Sequence, residues 1–292
     1  MFACVGWMVY SLNHNGKAQK NFIYLLCLFT KWEEDMSVLK IKNITIGKGV
    51  PKIIVPLVGK TNEQIIQEAE DVKLLHPDAV EWRADFYEEV ENLNAVKELL
   101  TKLRTVLVDE LLLFTFRSHK EGGNKEISDD FYVELNQSAM LTKNIDLVDI
   151  EFFTNKKSID KLLSIAKGNQ VYVIMSNHDF SQTPSKQEIV SRLIKMQEYG
   201  ADIPKIAVMP KSVEDVITLI DATNTMKTEY ADRPFITMSM GEAGVITRLT
   251  GEIFGSAFTF GAGKGASAPG QIPVQELRTV LKILNKNMCK EM

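Results

Sequence analysis

The feature of this chain that most constrains its fold is a series of eight short apolar runs, rich in β-branched and aromatic residues, separated by segments long enough for a helix. Strands that are apolar on both faces are typical of a parallel sheet covered by crossover helices. Eight such units in about 250 residues match the size of a (β/α)8 TIM barrel, with an open doubly wound sheet as the structural alternative. The runs occupy residues 52–58, 79–86, 111–117, 147–153, 171–177, 203–208, 235–240 and 257–260.

The segments between the runs have the spacing of helices with one apolar face. Ile65, Ala69 and Val72 recur at helical intervals in the first of them. Ser185 stands where an N-cap would begin a later helix, and Gly200 where that helix would end. Since no Pro-rich or Ser-rich linker interrupts residues 38–292, we predict a single α/β catalytic domain over that range.

A short strand pattern precedes the first apolar run. Residues 39–46 alternate polar and apolar side chains and end at the turn signal of residues 47–49. This pattern predicts a short N-terminal β-hairpin, formed with the segment that follows the turn.

Residues 1–37 differ from the rest, and we expect them to be a leader extension without fixed structure. Their apolar run at 21–30 has about half the residues that a membrane-spanning helix needs, and acidic residues follow it where a secretory signal would need a cleavage site. Residues 32–34 can be encoded by a stretch containing GGAGG, a bacterial ribosome-binding sequence, shortly before Met36. Met36 is therefore the expected start of translation.

Charge and cysteine content narrow the classes of function. The 34 Lys and Arg residues against 38 Asp and Glu give a formal net charge of −4, which supplies no positive field for nucleic-acid phosphates. Cys4, Cys27 and Cys289 have neither metal-ligand spacing nor the density of a disulfide framework, which suits a reducing cytoplasm. We expect a cytoplasmic protein that binds no nucleic acid, membrane or metal.

Polar residues follow the apolar runs at the strand ends where barrel enzymes hold their active sites. Glu81, Arg83 and Asp85 alternate along the second run and share one side of an extended chain; a purely structural ion network is the other interpretation. Arg117 ends the third run, and its guanidinium group has the forked shape that suits a carboxylate. Arg248, after the seventh run, offers a second such group, with an ordinary surface arginine as the alternative.

Two residues suggest carbonyl chemistry. Lys205 is the single lysine in the sixth run, where burial beside other cations would favour its neutral, nucleophilic amine; an amine that reaches out to solvent is the alternative. His178 ends the fifth run, where it is a candidate general acid or base, although a lone histidine is more often a packing residue. Residues 261–271 form a Gly-rich loop long enough to act as a lid, without a Walker motif.

Together these segments resemble the type I 3-dehydroquinate dehydratase family, from about residue 38 to the C-terminus. The resemblance rests on several motifs that fall in order on the predicted strand ends. They are EWRADF (81–86), FTFRSHKEGG (114–123), SNHDF (176–180), KIAVMP (205–210), ITRLTG (246–251) and SAPGQI (267–272).

The resemblance implies β-elimination of water from 3-dehydroquinate, giving 3-dehydroshikimate, without a cofactor or metal. It implies that Lys205 forms an imine with the substrate ketone, that His178 is the general base and then the acid, and that Glu81 orients the histidine. It also implies a homodimer in the shikimate pathway. Pro56 departs from the small hydroxyl residue of some members, so any substrate hydrogen bond made there is missing.

The same resemblance implies the substrate contacts. Arg83 and Arg117 belong to the binding site, Arg248 clamps the substrate carboxylate, and Ser267 and Gln271 close over it from the lid. Further side chains that would line the cavity are Glu121, Met238, Met240 and Phe260. A class I aldolase shares the barrel and the lysine, and a non-catalytic barrel is the alternative outside enzymes.

Overall fold

The computed structural model describes residues 8–12, 18–22, 38–263 and 268–288. The chain divides into two units, Met1–Asp35 and Met36–Met292. In the first, strands β1 (Met8–Leu12) and β2 (Ala18–Phe22) pair antiparallel. This pair departs from our expectation that residues 1–37 have no fixed structure. Cys4, Cys27, Cys289 and most of the apolar run at 21–30 lie outside the described residues.

Eight parallel strands of the second unit curl into a TIM-barrel-like α/β fold. They follow one another in chain order across the sheet, and the last lies beside the first, which is the order of a barrel and not of a doubly wound sheet. The two ends of the sheet meet at a parallel bridge between Phe235 and Ser256. The strands are β5 (Lys52–Leu57), β6 (Ala79–Arg83), β7 (Leu111–Thr115), β8 (Leu147–Glu151), β9 (Tyr172–Asp179), β10 (Ile203–Val208), β11 (Ile236–Ser239) and β12 (Phe258–Ala262).

Each of these strands falls within or overlaps one of the eight predicted runs, because long apolar stretches bounded by polar residues are a local signal. A short strand, β13 (Ile272–Pro273), adds to β12 after the lid segment. The helices are α1 (Asn62–Lys73), α2 (Leu93–Val106), α3 (Asp129–Leu141), α4 (Lys156–Asn169), α5 (Lys186–Tyr199), α6 (Val213–Thr225), α7 (Val245–Leu249), α8 (Gly251–Phe254) and α9 (Val274–Met288).

Local capping explains where α5 begins and ends. The Ser185 side chain accepts a hydrogen bond from the backbone N–H of Glu188, which satisfies a donor that the first helical turn leaves unpaired. Gly200 ends the helix with a φ of 95°, a left-handed conformation that glycine adopts without strain. Both assignments made from the sequence are confirmed.

Apolar side chains form two layers on either side of the strands. An outer layer packs the strands against the helices and includes Trp82, which is fully buried. An inner layer fills the space enclosed by the strands with residues such as Leu113 and Ile174. Strands buried on both faces are expected for this arrangement, and they explain the nearly continuous apolar runs.

Strands β3 (Leu39–Ile41) and β4 (Ile44–Ile46) pair antiparallel ahead of the barrel. Ile41 and Ile46 belong to the inner apolar layer. The turn lies at Lys42, whose φ is 51°, so residues 39–46 pair with themselves. Our prediction that residues 39–46 pair with the segment after the turn signal at 47–49 is wrong, because the chain already reverses at the two residues between β3 and β4.

In the parts of the chain that the structure describes, no helix combines the length and apolar character needed to cross a membrane.

Candidate active site

The carboxyl ends of the strands surround a cavity with about 570 Å³ of empty space, counted out to its open mouth. Predicted site residues contribute most of its wall. They are Glu81, Arg83, Arg117, Glu121, His178, Lys205, Met238, Met240, Phe260 and Gln271. Of the remaining predicted residues, Arg248 lies in α7 beside the cavity wall, and Ser267 lies outside the described residues.

Lys205 lies in the middle of β10 and points into this cavity with only 2% of its surface exposed. Its Nζ is 3.5 Å from Oδ2 of Asp149 on β8, and 4.5 Å from the ring centroid of Phe260 on β12. The amine therefore lies between a carboxylate and an aromatic face. This position rules out the alternative in which the amine reaches bulk solvent.

Burial is the largest influence on the protonation of Lys205 and lowers its pKa from the ordinary value of 10.5. The carboxylates of Asp149 and Glu81 oppose this shift, and the guanidinium groups of Arg117 and Arg83 add to it. The amine is therefore more easily deprotonated than that of a surface lysine, which is the requirement for attack on a carbonyl carbon.

His178 is held by Glu121 and not by Glu81. Its Nδ1 lies 3.1 Å from Oε2 of Glu121, and its backbone N–H donates to the same oxygen at 2.9 Å. Glu81 instead accepts a hydrogen bond from the Thr115 hydroxyl at 2.9 Å. The expected pairing of Glu81 with the histidine is therefore corrected, because the short 3-10 turn His119–Glu121 brings a different carboxylate to the ring.

Burial lowers the pKa of His178 well below its ordinary value of 6.5, and the cations Arg117, Lys205 and Arg83 add to the effect. Burial also raises the pKa of Glu121 from 4.5 to about 7, although Arg117 opposes this shift. The imidazole is neutral near pH 7 as a result. An ionised Glu121 accepts Nδ1–H and leaves Nε2 as the basic atom.

Arg83 and Asp85 form a bidentate ion pair, with distances of 2.7 and 2.8 Å. Asp85 also accepts hydrogen bonds from the backbone N–H groups of Asn124 and Arg117. Arg83 and Asp85 of the second run thus belong to a structural ion network, which was one of the two interpretations of the sequence. Glu81 and Arg83 nonetheless line the cavity.

Arg117 is enclosed by acceptors instead of being open to a substrate carboxylate. Its guanidinium donates to Asp149 at 2.8 Å, to Glu151 at 2.9 Å and to the Ser176 hydroxyl at 3.0 Å. Glu121 lies farther away, at 3.5 Å. The fork expected to bind substrate is therefore largely occupied by the protein's own carboxylates.

Arg248 is the opposite case. It is 1% exposed, and among the described residues it has no ion pair, while its Nε has no hydrogen-bond partner. Its other contacts are the Met238 sulfur and the Pro269 carbonyl oxygen. Burial lowers the pKa of Arg248 to about 10. A buried guanidinium without a counter-ion is a site for an anion.

Sequence reasoning missed several residues of this site. Phe180 lines the cavity beside Gly122, where an added Cβ would overlap the Phe180 ring. Asp149 and Glu151 alternate within the fourth run, facing the same side as Lys205 and Arg117. Charged residues that alternate within an apolar run were the available signal for these carboxylates, since the same signal identified Glu81 and Arg83.

A barrel whose cavity holds a buried lysine and a neutral histidine, beside a buried arginine that has no ion pair among the described residues, has the groups of an enzyme that acts on an anionic carbonyl compound. Residues 53–288 match the family model described as Type I 3-dehydroquinase. The chain belongs to this family.

Individual relatives agree over the same part of the chain. A 3-dehydroquinate dehydratase of Bacillus subtilis is 61% identical over 252 residues, which cover 86% of this chain and 99% of that protein. The crystal structure of a type I 3-dehydroquinate dehydratase from Clostridium difficile with covalently modified comenic acid has a TM-score of 0.83 at 55% identity, covering 86% of this chain and 98% of that one. A 3-dehydroquinate dehydratase structure from Geobacillus kaustophilus has a TM-score of 0.84 at 39% identity, with 87% and 98% covered.

Proposed function

We propose that this chain is a hydro-lyase of the shikimate pathway that removes water from 3-dehydroquinate to give 3-dehydroshikimate, through an imine on Lys205. The observation that carries the proposal is the position of Lys205, buried in one cavity with His178 from the neighbouring strand. Membership of the type I family and 61% identity to a curated dehydratase support the same reaction.

The first step is imine formation. The neutral amine of Lys205 adds to the substrate ketone, and loss of one water with uptake of one proton leaves a protonated imine. This cation withdraws electrons from the adjacent carbon and makes its C–H acidic. The lowered pKa of Lys205 favours the neutral amine that begins the step.

His178 performs the proton transfers that follow. Its Nε2 takes the proton from the carbon beside the imine, and the electron pair moves toward the imine nitrogen. The imidazolium then returns the proton to the departing hydroxyl, which leaves as water. Hydrolysis of the imine consumes one water, restores Lys205 and releases the product, so the net change is the loss of one water from the substrate.

Arg248 binds the substrate carboxylate in this proposal, because it is the buried cation without a counter-ion among the described residues. Gln271 lines the cavity beside the lid. Together with Ser267, it closes over the bound substrate. Glu81 and Arg83 contribute polar groups to the wall that faces the substrate hydroxyls.

We further infer that residues 38–292 form a complete (β/α)8 barrel whose N-terminal end is closed by the hairpin of β3 and β4. In this proposal the chain acts in the cytoplasm as a homodimer, the assembly that the family resemblance implies. Light scattering coupled to size exclusion measures the assembly directly, and a monomer mass at micromolar concentration would contradict the dimer.

The test of the proposed function is the intact mass of the protein after incubation with 3-dehydroquinate and borohydride, followed by peptide mapping. A substrate-derived adduct on Lys205 is expected, and the Lys205→Ala variant should form none and lose turnover. His178→Ala should still form the adduct but fail to eliminate water. A folded native protein that forms no adduct would refute the imine, and an adduct without dehydration would favour an aldolase.

A further inference from the structure

Asp149 is a buried carboxylate on β8 that faces the side-chain nitrogen of Lys205, two strands away on β10. It is fully buried on β8, and its Oδ2 lies 3.5 Å from Nζ of Lys205. Among the described residues this is the closest hydrogen-bonding contact of that nitrogen. Asp149 is not among the residues that line the cavity, so it can affect a bound substrate only through the lining residues that it contacts, Lys205 and Arg117.

The rest of the site fixes the orientation of this carboxylate. Its other oxygen, Oδ1, accepts hydrogen bonds from the Arg117 guanidinium at 2.8 Å and from the Ser176 hydroxyl at 2.6 Å. Ser176 lies directly opposite Lys205 in the register of β9 and β10. Oδ2 is therefore aimed at the lysine by two strong contacts on the opposite oxygen.

Asp149 stays ionised in this position. Burial opposes its ionisation, but Arg117, Lys205 and the Ser176 hydroxyl outweigh burial and hold its pKa below the ordinary value of 3.8. It therefore acts as a fixed negative charge and not as a proton acceptor. The other charged or titratable groups around Lys205 are Glu81 and Arg83 from β6, Arg117 after β7 and His178 from β9.

We propose that Asp149 is a positioning residue that serves as counter-ion to the Lys205 nitrogen, holding it in place and stabilising both its ammonium and its protonated-imine forms. The proposal rests on the proposed function for its second half, since an imine requires a carbonyl substrate. The protonated imine keeps one N–H, and Oδ2 is the acceptor within reach of it. A fixed anion there keeps the imine protonated, and the protonated form is the one that makes the substrate C–H acidic.

Two opposed effects follow from removing this charge. Asp149→Asn keeps an oxygen acceptor for Arg117 and Ser176 but leaves Lys205 without its nearest anion. The pKa of the amine should then fall by about one unit or more, because an opposite charge within 4–6 Å typically shifts a pKa by one to three units. Attack by the amine becomes possible at lower pH, while elimination becomes slower because a smaller fraction of the imine stays protonated.

The experiment measures the pH midpoint for reductive methylation of Lys205 by formaldehyde and cyanoborohydride, mapped by peptide mass, in parallel with kcat for 3-dehydroquinate. Asp149→Asn should move the midpoint down by about one pH unit and lower kcat at least tenfold, since one unit corresponds to a factor of ten. Asp149→Glu restores the charge and should return the midpoint toward that of the native protein. A purely structural role would not produce this rescue.

Two further variants keep the result interpretable. Asp146→Asn removes a carboxylate just before the same strand, paired with Lys42 and Arg104, and should leave the midpoint unchanged. Ser176→Ala keeps both charges but removes one of the two hydrogen bonds that orient the Asp149 carboxylate, so it should lower kcat several-fold. This variant tests the proposal even if Asp149→Asn does not fold.

Equal midpoints in the native protein and Asp149→Asn, or an unchanged kcat in Ser176→Ala, would overturn the proposal. The methylation readout needs no substrate, so it separates this inference from the proposed function. If the midpoint shifts in Asp149→Asn but the native protein has no dehydratase activity, the result would support the counter-ion role of Asp149 and refute the proposed reaction.

Discussion

At the scale of single residues, the site is organised by which buried charges have partners. Arg117 is surrounded by carboxylates, whereas Arg248 has none among the described residues. A paired buried charge is already compensated by its partners, whereas an unpaired one is costly until a ligand of opposite charge binds it. In the proposed function, therefore, Arg248 binds the substrate, while the guanidinium of Arg117 is occupied by the protein's own carboxylates.

Arg248→Met should separate binding from stability. Loss of the cation proposed to pair with the substrate carboxylate should lower kcat/KM by about 30-fold or more, because breaking a buried charged pair costs about 2–5 kcal/mol. The same change removes an uncompensated buried charge, so the melting temperature should rise. Arg104→Met is the matched control, since Arg104 is paired with Asp146 and its loss should lower the melting temperature. A fall in both quantities for Arg248→Met would contradict this assignment.

Glu121 should control the acidic side of the pH profile. Its pKa is raised to about 7, so it becomes protonated as the pH falls through that value and can no longer accept Nδ1–H of His178 as a carboxylate. Activity should therefore decline from pH 8 to pH 6. In Glu121→Gln the amide oxygen still accepts Nδ1–H and cannot titrate, so this decline should disappear while the maximal kcat falls about tenfold.

The control for Glu121→Gln is Glu126→Gln, which changes an exposed carboxylate a few residues along the same loop. This variant should keep the native profile. If the decline of activity from pH 8 to pH 6 persists unchanged in Glu121→Gln, a group other than Glu121 must cause it.

At the scale of elements, sequence patterns predicted the eight strands and the capping of α5, because both depend on neighbouring residues. The hairpin shows where local signals mislead. The glycines at 47 and 49 suggested the turn, but the two strands on either side of Lys42 pair with each other and place Ile41 and Ile46 in the inner apolar layer. The glycines only lead the chain into β5.

The hairpin should contribute directly to barrel stability. Ile46 is completely buried in the inner apolar layer, so Ile46→Ala should lower the free energy of unfolding by about 2–4 kcal/mol through lost burial and a residual cavity. Urea titration followed by circular dichroism measures this change. Thr45→Ala alters the neighbouring exposed position and should change the free energy by less than about 0.5 kcal/mol. Equal effects would show that the hairpin is not part of the core.

At the scale of the whole molecule, the contact boundary between Asp35 and Met36 coincides with the start of translation predicted from the sequence. That start remains a prediction. N-terminal analysis of the protein from its native host should give Met36 or Ser37, and a chain beginning at Met36 should keep its melting temperature and kcat. Detection of Met1 in the native protein would contradict the prediction.

The sequence alone determined the order of the elements and the strands that carry Lys205 and His178, because apolar runs, caps and polar strand ends are local features. Only the tertiary structure decided the partners of the buried charges. His178 takes its carboxylate from Glu121, which lies 57 residues away, and Lys205 is paired with Asp149 at a separation of 56. Such pairings depend on strand register and loop path, which no local pattern encodes.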